Sequence, residues 1–248
     1  MSQQRIPISI EILADLETPL SVFKKLGNQP FSYLFESVEG GEKWARYSVI
    51  GLPASTVIKV FNNDIQIWED GKIIEELSSA DPLKFLEEYQ ESIKVKVNEE
   101  LPGFTGGLVG YLGYDCIRYI EPKLSQSNLP DPLGTPDALF MLSEEVAVFD
   151  NLNSKLHLIV LSKGESKEDI SSANERLKEL SDKLLTPLVM NDSEEIEGPV
   201  TEKDFVSGFG EKEFKESVEK IKEYIKAGDV MQVVCSQRMS VPFTSDPV

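Results

Sequence analysis

Cysteine is nearly missing from this chain of 248 residues, which holds two, Cys116 and Cys235. They lie far apart in polar-flanked, strand-like patterns, so they make neither a disulfide framework nor a metal-ligand set. The simple inference is a reducing, cytoplasmic compartment. Histidine is scarcer still: His157 stands alone in the run KLHLIVL. A lone histidine in a strand is ordinarily structural, and no cysteine or histidine stands beside it to share a metal. Nothing supports a Ser-His-Asp or Cys-His nucleophile. Positive charge is short as well. Lys and Arg total 25 against 43 Asp and Glu, a net charge of −18 (25 − 43). Nucleic acid and anionic membrane both ask for a basic surface, so neither is expected as a partner. No apolar run is long enough to span a bilayer. The opening MSQQRIPISIEILADLE lacks the apolar core and small-residue cleavage site of a signal peptide.

What is present describes a soluble globular protein, 40% hydrophobic and 27% charged. The length suits one large domain or roughly one and a half ordinary ones. Ile6, Ile8 and Ile10 alternate with Pro7, Ser9 and Glu11, which predicts a short strand. Thr18-Pro19 predicts a helix start, with Thr as cap and Pro at the first helical position. Leu20, Phe23 and Leu26 then line one face, and Gly27 stops it. Thr56–Phe61 reads as a strand. Asp64–Trp68 and Lys72–Leu77 flank Glu69-Asp70-Gly71 as a hairpin. Asp81-Pro82 starts a second helix, with Leu83, Leu86 and Ile93 inward. The segment FTGGLVGYLGYD spaces Gly107, Gly110 and Gly113 three apart. No Lys-Ser/Thr follows, so it is not a P-loop, and the dinucleotide spacing is also wrong. The glycines mark bulges or close backbone approach, with Tyr111 and Tyr114 packing nearby. Tyr119 to Pro136 is proline-rich and reads as a surface excursion.

Ala138–Phe149 and Lys155–Leu161 predict a second hairpin across Asp150 to Asn153. Ile170, Ala173, Leu177, Leu180 and Leu184 mark an amphipathic helix. Thr186 to Gly208 is acidic and reads as a linker. Phe214, Val218, Ile221 and Ile225 mark a last helix ended by Gly228, and Asp229–Val241 is strongly β-prone. A helix and one long strand after a linker look like the start of a second domain. The expected class is α+β, a mostly antiparallel sheet with flanking helices. The expected organisation is a β-rich domain over 1–185, an acidic linker over 186–210, and the start of a further domain over 211–248.

One stretch stands out for chemistry. Phe31, Tyr33 and Phe35 alternate with Ser32, Leu34 and Glu36 as a strand. Ser37 to Lys43 breaks the pattern with Gly40 and Gly41, and Arg46–Ile50 resumes it. Glu36 and Ser37 therefore sit where a strand runs out into a glycine loop. A carboxylate there can take an α-ammonium, while loop N–H groups and a hydroxyl can take an α-carboxylate. Neighbouring strand residues point to opposite faces, so the two share a site only if one contributes backbone or a bulge intervenes. The chemistry alone favours the plainer reading, a β-connection with a solvated acidic rim.

A resemblance reverses that preference. EILADLETPLSVFKKL, LFESVEGGEKWARYSVIG, GFTGGLVGYLGYDCIRYIEP, PDALFMLSEEVAVFDN and FKESVEKIKEYIKAGDVMQVVCSQRMSVPF resemble the large subunit of anthranilate synthase. They occur in that family's order and cover nearly the whole chain apart from residues 151–199. The resemblance implies conversion of chorismate and ammonia to anthranilate and pyruvate in tryptophan biosynthesis, with Mg²⁺. It implies a glutamine amidotransferase small subunit as the ammonia source and feedback inhibition by L-tryptophan. The family's Leu-Leu-Glu-Ser element binds the tryptophan. Here it reads Leu34-Phe35-Glu36-Ser37, with Phe35 the departure, which makes Ser37 the first tryptophan contact, Glu36 the next and Arg46 a weaker third. The family's second tryptophan segment, a Pro-Tyr-Met loop, would fall beyond Val248. The family's Mg²⁺-binding glutamates and chorismate-holding residues belong to its C-terminal half, and those motifs do not occur here. No catalytic or metal residue is therefore assigned, the segment 211–248 is expected to be the truncated start of the chorismate-binding domain, and the chain alone is expected to be inactive. Two alternatives stand beside this one: a fragment of aminodeoxychorismate synthase, and a non-catalytic module for tryptophan sensing or subunit docking.

Overall fold

A computed structural model describes residues 3–37, 46–121, 123–124, 131, 133–188, 200–243 and 248. Its contacts divide the chain into two units, Met1–Leu188 and Val189–Val248. In the first unit the strands are β1 (Gln3–Leu13), β2 (Tyr33–Phe35), β3 (Tyr47–Gly51), β4 (Thr56–Phe61), β5 (Asp64–Glu69), β6 (Lys72–Ser78), β7 (Ile93–Val95), β8 (Gly107–Leu112), β9 (Ala138–Ser143), β10 (Glu145–Asp150) and β11 (Lys155–Ser162). The helices are α1 (Pro19–Val22), continued as a π-turn over Phe23–Gly27, then α2 (Pro82–Ser92), α3 (Ile117–Ile120) and α4 (Lys167–Leu184).

The strands form one sheet in the order β2-β3-β10-β11-β1-β7 and another in the order β6-β5-β4-β9-β8. Every pairing is antiparallel except β1 with β7. Successive side chains point to opposite faces, so near-continuous apolar runs such as Val146–Phe149 and Leu158–Leu161 leave apolar residues on both faces, and the buried clusters show what covers them. Tyr33, Val146, Val148 and Ile159 of the first sheet meet Val57 and Met141 of the second. The first sheet's other face, with Ile50, Phe149, Leu156 and Leu158, packs on Val22, Phe23 and Leu26 and on Leu177 and Leu180 of α4. The second sheet's outer face, with Ile58, Val60 and Ile65, takes Leu86 of α2 and Cys116. The result is four layers, helix, sheet, sheet, helix, and an α+β class as the sequence predicts.

Local rules hold where the chain turns. Thr18 and Ser21 cap α1 reciprocally, the Ser21 N–H donating to Thr18 Oγ1 at 3.1 Å and the Thr18 N–H to Ser21 Oγ at 2.9 Å. Asp70 and Gly71, at φ 49° and 76°, make the β5–β6 turn, whose twist needs positive φ at both centres. Gly110 is glycine for want of room, since a Cβ there would lie 1.9 Å from the Leu139 carbonyl oxygen on the adjacent strand.

Several expectations change. The run Ala138–Phe149 is two strands in two sheets, and the chain crosses from one to the other at Glu144. Ile93 opens β7 rather than facing inward from a helix. Cys116 lies in a 3₁₀ turn and Tyr114 is exposed instead of packed. His157 does lie on a strand as expected, on β11, with Nε2 4.0 Å from Glu11 Oε2. The loop with Gly40 and Gly41 lies outside the described residues, as do much of the Tyr119 to Pro136 stretch and residues 189–199 of the predicted linker.

The second unit holds α5 (Glu211–Ala227), ended by Gly228 at φ 83°, and a small pair, β12 (Val206–Ser207) with β13 (Met239–Ser240). Of the β-prone stretch Asp229–Val241, only Met239–Ser240 is strand. β-propensity records fit to a half-buried pleated surface. Met231 and Val234 here are almost fully exposed and have no such surface. Among the described residues, no helix is long and apolar enough to cross a membrane.

Candidate functional site

The site grows from a ladder that runs out. β2 is a three-residue edge strand, paired as Tyr33↔Gly51, Leu34↔Ile50 and Phe35↔Val49. Its anchor is Tyr33, whose ring lies where a Cβ on Gly51 would come within 1.9 Å. The Tyr33 hydroxyl shares a 2.9 Å hydrogen bond with Ser143 Oγ. Burial pushes that phenol up to about 12, with Ser143 acting in the opposite direction, so it stays neutral. The Tyr33 and Phe35 rings stand 4.9 Å apart, and Phe35 is largely exposed.

Continuing the register would set Glu36 opposite Ser48 and Ser37 opposite Tyr47. The chain does not continue it. The Ser37 N–H donates instead to Ser48 Oγ at 3.2 Å, a side chain with no exposed surface in the middle of β3. Glu36 is exposed and Ser37 half-buried. Leaving the ladder after Phe35 removes the opposite-face restriction, so a carboxylate and a hydroxyl can serve one ligand.

Arg46 lies at the other flank of residues 38–45. Its Nη2 is 2.7 Å from Asp150 Oδ2 and its Nε is 3.2 Å from both carboxylate oxygens. The guanidinium also lies over the Tyr47 ring at 4.8 Å. Asp150 is buried and accepts further from the Leu152 and Asn153 N–H groups and from Asn153 Nδ2. Burial alone would raise its pKa; the hydrogen bonds from Arg46 and Asn153 outweigh that and hold it at about 2. Asn151 links the two flanks. Its Nδ2 donates to Ser48 Oγ at 3.2 Å and its N–H to the Arg46 carbonyl at 2.8 Å. Sequence reasoning singled out Glu36, Ser37 and Arg46 but not Ser48, Asp150 or Asn151. One signal was available for Ser48, a hydroxyl at a strand position whose next same-face neighbour is Ile50.

Two clefts lie elsewhere. One of 480 Å³ is lined by Glu87, Glu91, Gly106 and Gly107 among others. Another of 330 Å³ lies beside Arg5, whose Nε donates to Glu144 at 2.8 Å. Neither is lined by Glu36, Ser37 or Arg46. Volume alone does not recognise an amino acid; a paired carboxylate and donor set does. Among the described residues, no three His, Cys, Asp or Glu side chains converge as a metal site. The described residues therefore show no set that fits Mg²⁺.

The chain is similar to known proteins in sequence and in fold. The profile of the family described as chorismate binding enzyme matches residues 33–248. Anthranilate synthase component 1 of Pseudomonas putida is 47% identical over 245 residues, covering 98% of this chain and 50% of that protein. The same component of Neisseria meningitidis serogroup B is 45% identical over 251 residues, covering 98% of this chain and 49% of its own length. The chain spans about half the length of the curated relatives it matches. The crystal structure of anthranilate synthase component I from Streptococcus pneumoniae TIGR4 superposes with a TM-score of 0.64 at 29% identity, over 95% of this chain and 49% of that one.

Proposed function

From a chain that belongs to the chorismate-binding enzyme family, we propose an anthranilate synthase component I whose N-terminal half carries the tryptophan-sensing site. In this reading the whole protein converts chorismate and ammonia to anthranilate and pyruvate, and a glutamine amidotransferase subunit supplies the ammonia. Mg²⁺ and the chorismate-holding groups belong to residues outside this chain, with 211–248 the first part of the chorismate-binding domain. The names of the relatives favour this over the aminodeoxychorismate alternative.

The observation that carries the sensing role is that Glu36 and Ser37 leave the β2 ladder, with the Ser37 N–H held by the buried hydroxyl of Ser48. Glu36 would take the α-ammonium of L-tryptophan and the Ser37 hydroxyl its α-carboxylate. Arg46 offers only what Asp150 leaves it: Nη1 has no hydrogen-bond partner among the described residues. That makes it the weakest of the three contacts. Exposed Phe35, beside Tyr33, offers an apolar surface for an indole.

Turnover tests the reading. With chorismate, ammonium and Mg²⁺ the chain alone is expected to yield no anthranilate fluorescence. Mixed with the C-terminal half of the Pseudomonas putida relative, it is expected to yield anthranilate, and L-tryptophan is expected to suppress that rate. Enzyme-dependent anthranilate from the chain alone would overturn this placement of the chemistry.

A further inference from the structure

Both flanks of residues 38–45 hang from one turn. Ser37 on one side is held through Ser48 by the side chain of Asn151. Arg46 on the other side is held by the backbone N–H of Asn151 and by the carboxylate of Asp150. We propose that the β10–β11 turn, through Asn151 and Asp150, is the positioning element of the amino-acid site, setting where Ser37 and Arg46 present themselves. This rests on the reading of Glu36 and Ser37 as tryptophan contacts.

The geometry separates this role from plain hairpin closure. Asp150 closes the turn by itself, accepting from the Leu152 and Asn153 N–H groups. The bond from the Asn151 side chain to Ser48 is separate from that closure. It reaches from β10 across to β3 and ends on Ser48, a fully buried hydroxyl that two N–H donors share. Moving either donor moves the other's acceptor. β2 cannot hold Ser37 by itself, because its ladder ends at Phe35↔Val49. The hydroxyl of Ser48 therefore replaces the missing rung, and Asn151 fixes the hydroxyl. Asn151 and Asp150 touch no ligand in this scheme. They act through Ser48 and Arg46, so they are positioning residues.

The test is an NMR titration of the chain with L-tryptophan, read at the amides of Ser37 and Tyr47 and carried to millimolar ligand. Asn151→Ala, at an exposed position, leaves the core untouched. It is expected to weaken the dissociation constant about three- to tenfold, the loss of one positioning hydrogen bond, with the amides of β10 and β11 unshifted. Ser48→Ala is expected to weaken it at least as far, and Ser48→Thr, which keeps the hydroxyl, to restore most of the affinity. Asp137→Asn serves as the control for lost stability. Asp137 ties Tyr119 and the Asn62 turn together in the other sheet, so this variant is expected to melt earlier and bind unchanged. Wild-type affinity in both Asn151→Ala and Ser48→Ala would overturn the positioning role while leaving the tryptophan site in place. Equal weakening in Asp137→Asn would also overturn it, because affinity would then follow overall stability. Absence of any saturable shift in the wild-type chain would sink the tryptophan reading, and the positioning role with it.

Discussion

Asp150 is 2% exposed and charged, which an unpaired carboxylate could not sustain. Its pKa of about 2 lies below the ordinary value of 3.8, because Arg46 and Asn153 outweigh the cost of burial. The unfolded chain therefore binds more protons between those values. The stabilisation is complete above about pH 4 and disappears as the pH falls through about 2. Arg46 is partly solvent-screened, so the contribution is about 1 kcal/mol. Thermal melts of wild type and Asp150→Asn should differ most near pH 5 and converge toward pH 2; a gap that stays constant across that range would contradict the assignment. A second prediction belongs to Gly51. The Tyr33 ring occupies the volume that a Cβ would need, at 1.9 Å. Gly51→Ala should displace the ring, break its bond to Ser143 and cost about 1–3 kcal/mol in urea denaturation. The near-ultraviolet tyrosine signal should fall with it.

Among the elements, the telling one is the junction of β9 and β10. The run ALFMLSEEVAVFD reads as one strand because apolar, β-prone residues stand on both sides of the short polar break Ser143-Glu144-Glu145. At the crossing stands a long-range contact that the break by itself does not announce: Glu144 takes the Nε–H of Arg5, a side chain contributed from the start of the chain. The pair is largely buried, so Glu144→Ala should cost about 2–4 kcal/mol by leaving Arg5 without this carboxylate. Equilibrium denaturation would register it, and a loss below 0.5 kcal/mol, about that of an ordinary surface substitution, would contradict the account. By contrast, β4, the Asp70-Gly71 turn, the Thr18-Pro19 helix start and the helix ending at Gly228 were all legible. Each depends on residues within a few positions of one another. The residue types of the candidate Glu36–Ser37 site could be read from the sequence, whereas the groups packed around it could not. Ser48 and Asn151 are 103 residues apart, and only the pairing of β3 with β10 brings them together.

Seen whole, the molecule is uneven in how much it buries. The first unit has three packed clusters. In the second, α5 buries no residue, Tyr224 and Ile225 remain exposed, and Met231 and Val234 are nearly bare. Backbone with little burial and few ladder bonds opens readily. Amides of 230–238 should thus exchange with deuterium within seconds, while those of β10 and β11 remain protected for hours. Comparable protection in the two regions would show that the second unit is held by something these contacts do not include. The central claim remains chemical: a carboxylate and a hydroxyl, freed where β2 ends, receive an α-amino acid. Its most direct test is the dissociation constant of L-tryptophan for the wild type and for Glu36→Gln, measured at the Ser37 amide. Glu36 is exposed, so the substitution should leave the fold intact and weaken binding about tenfold, as expected for losing a charge-assisted partner of the α-ammonium. Superimposable titration curves for the two proteins would contradict it.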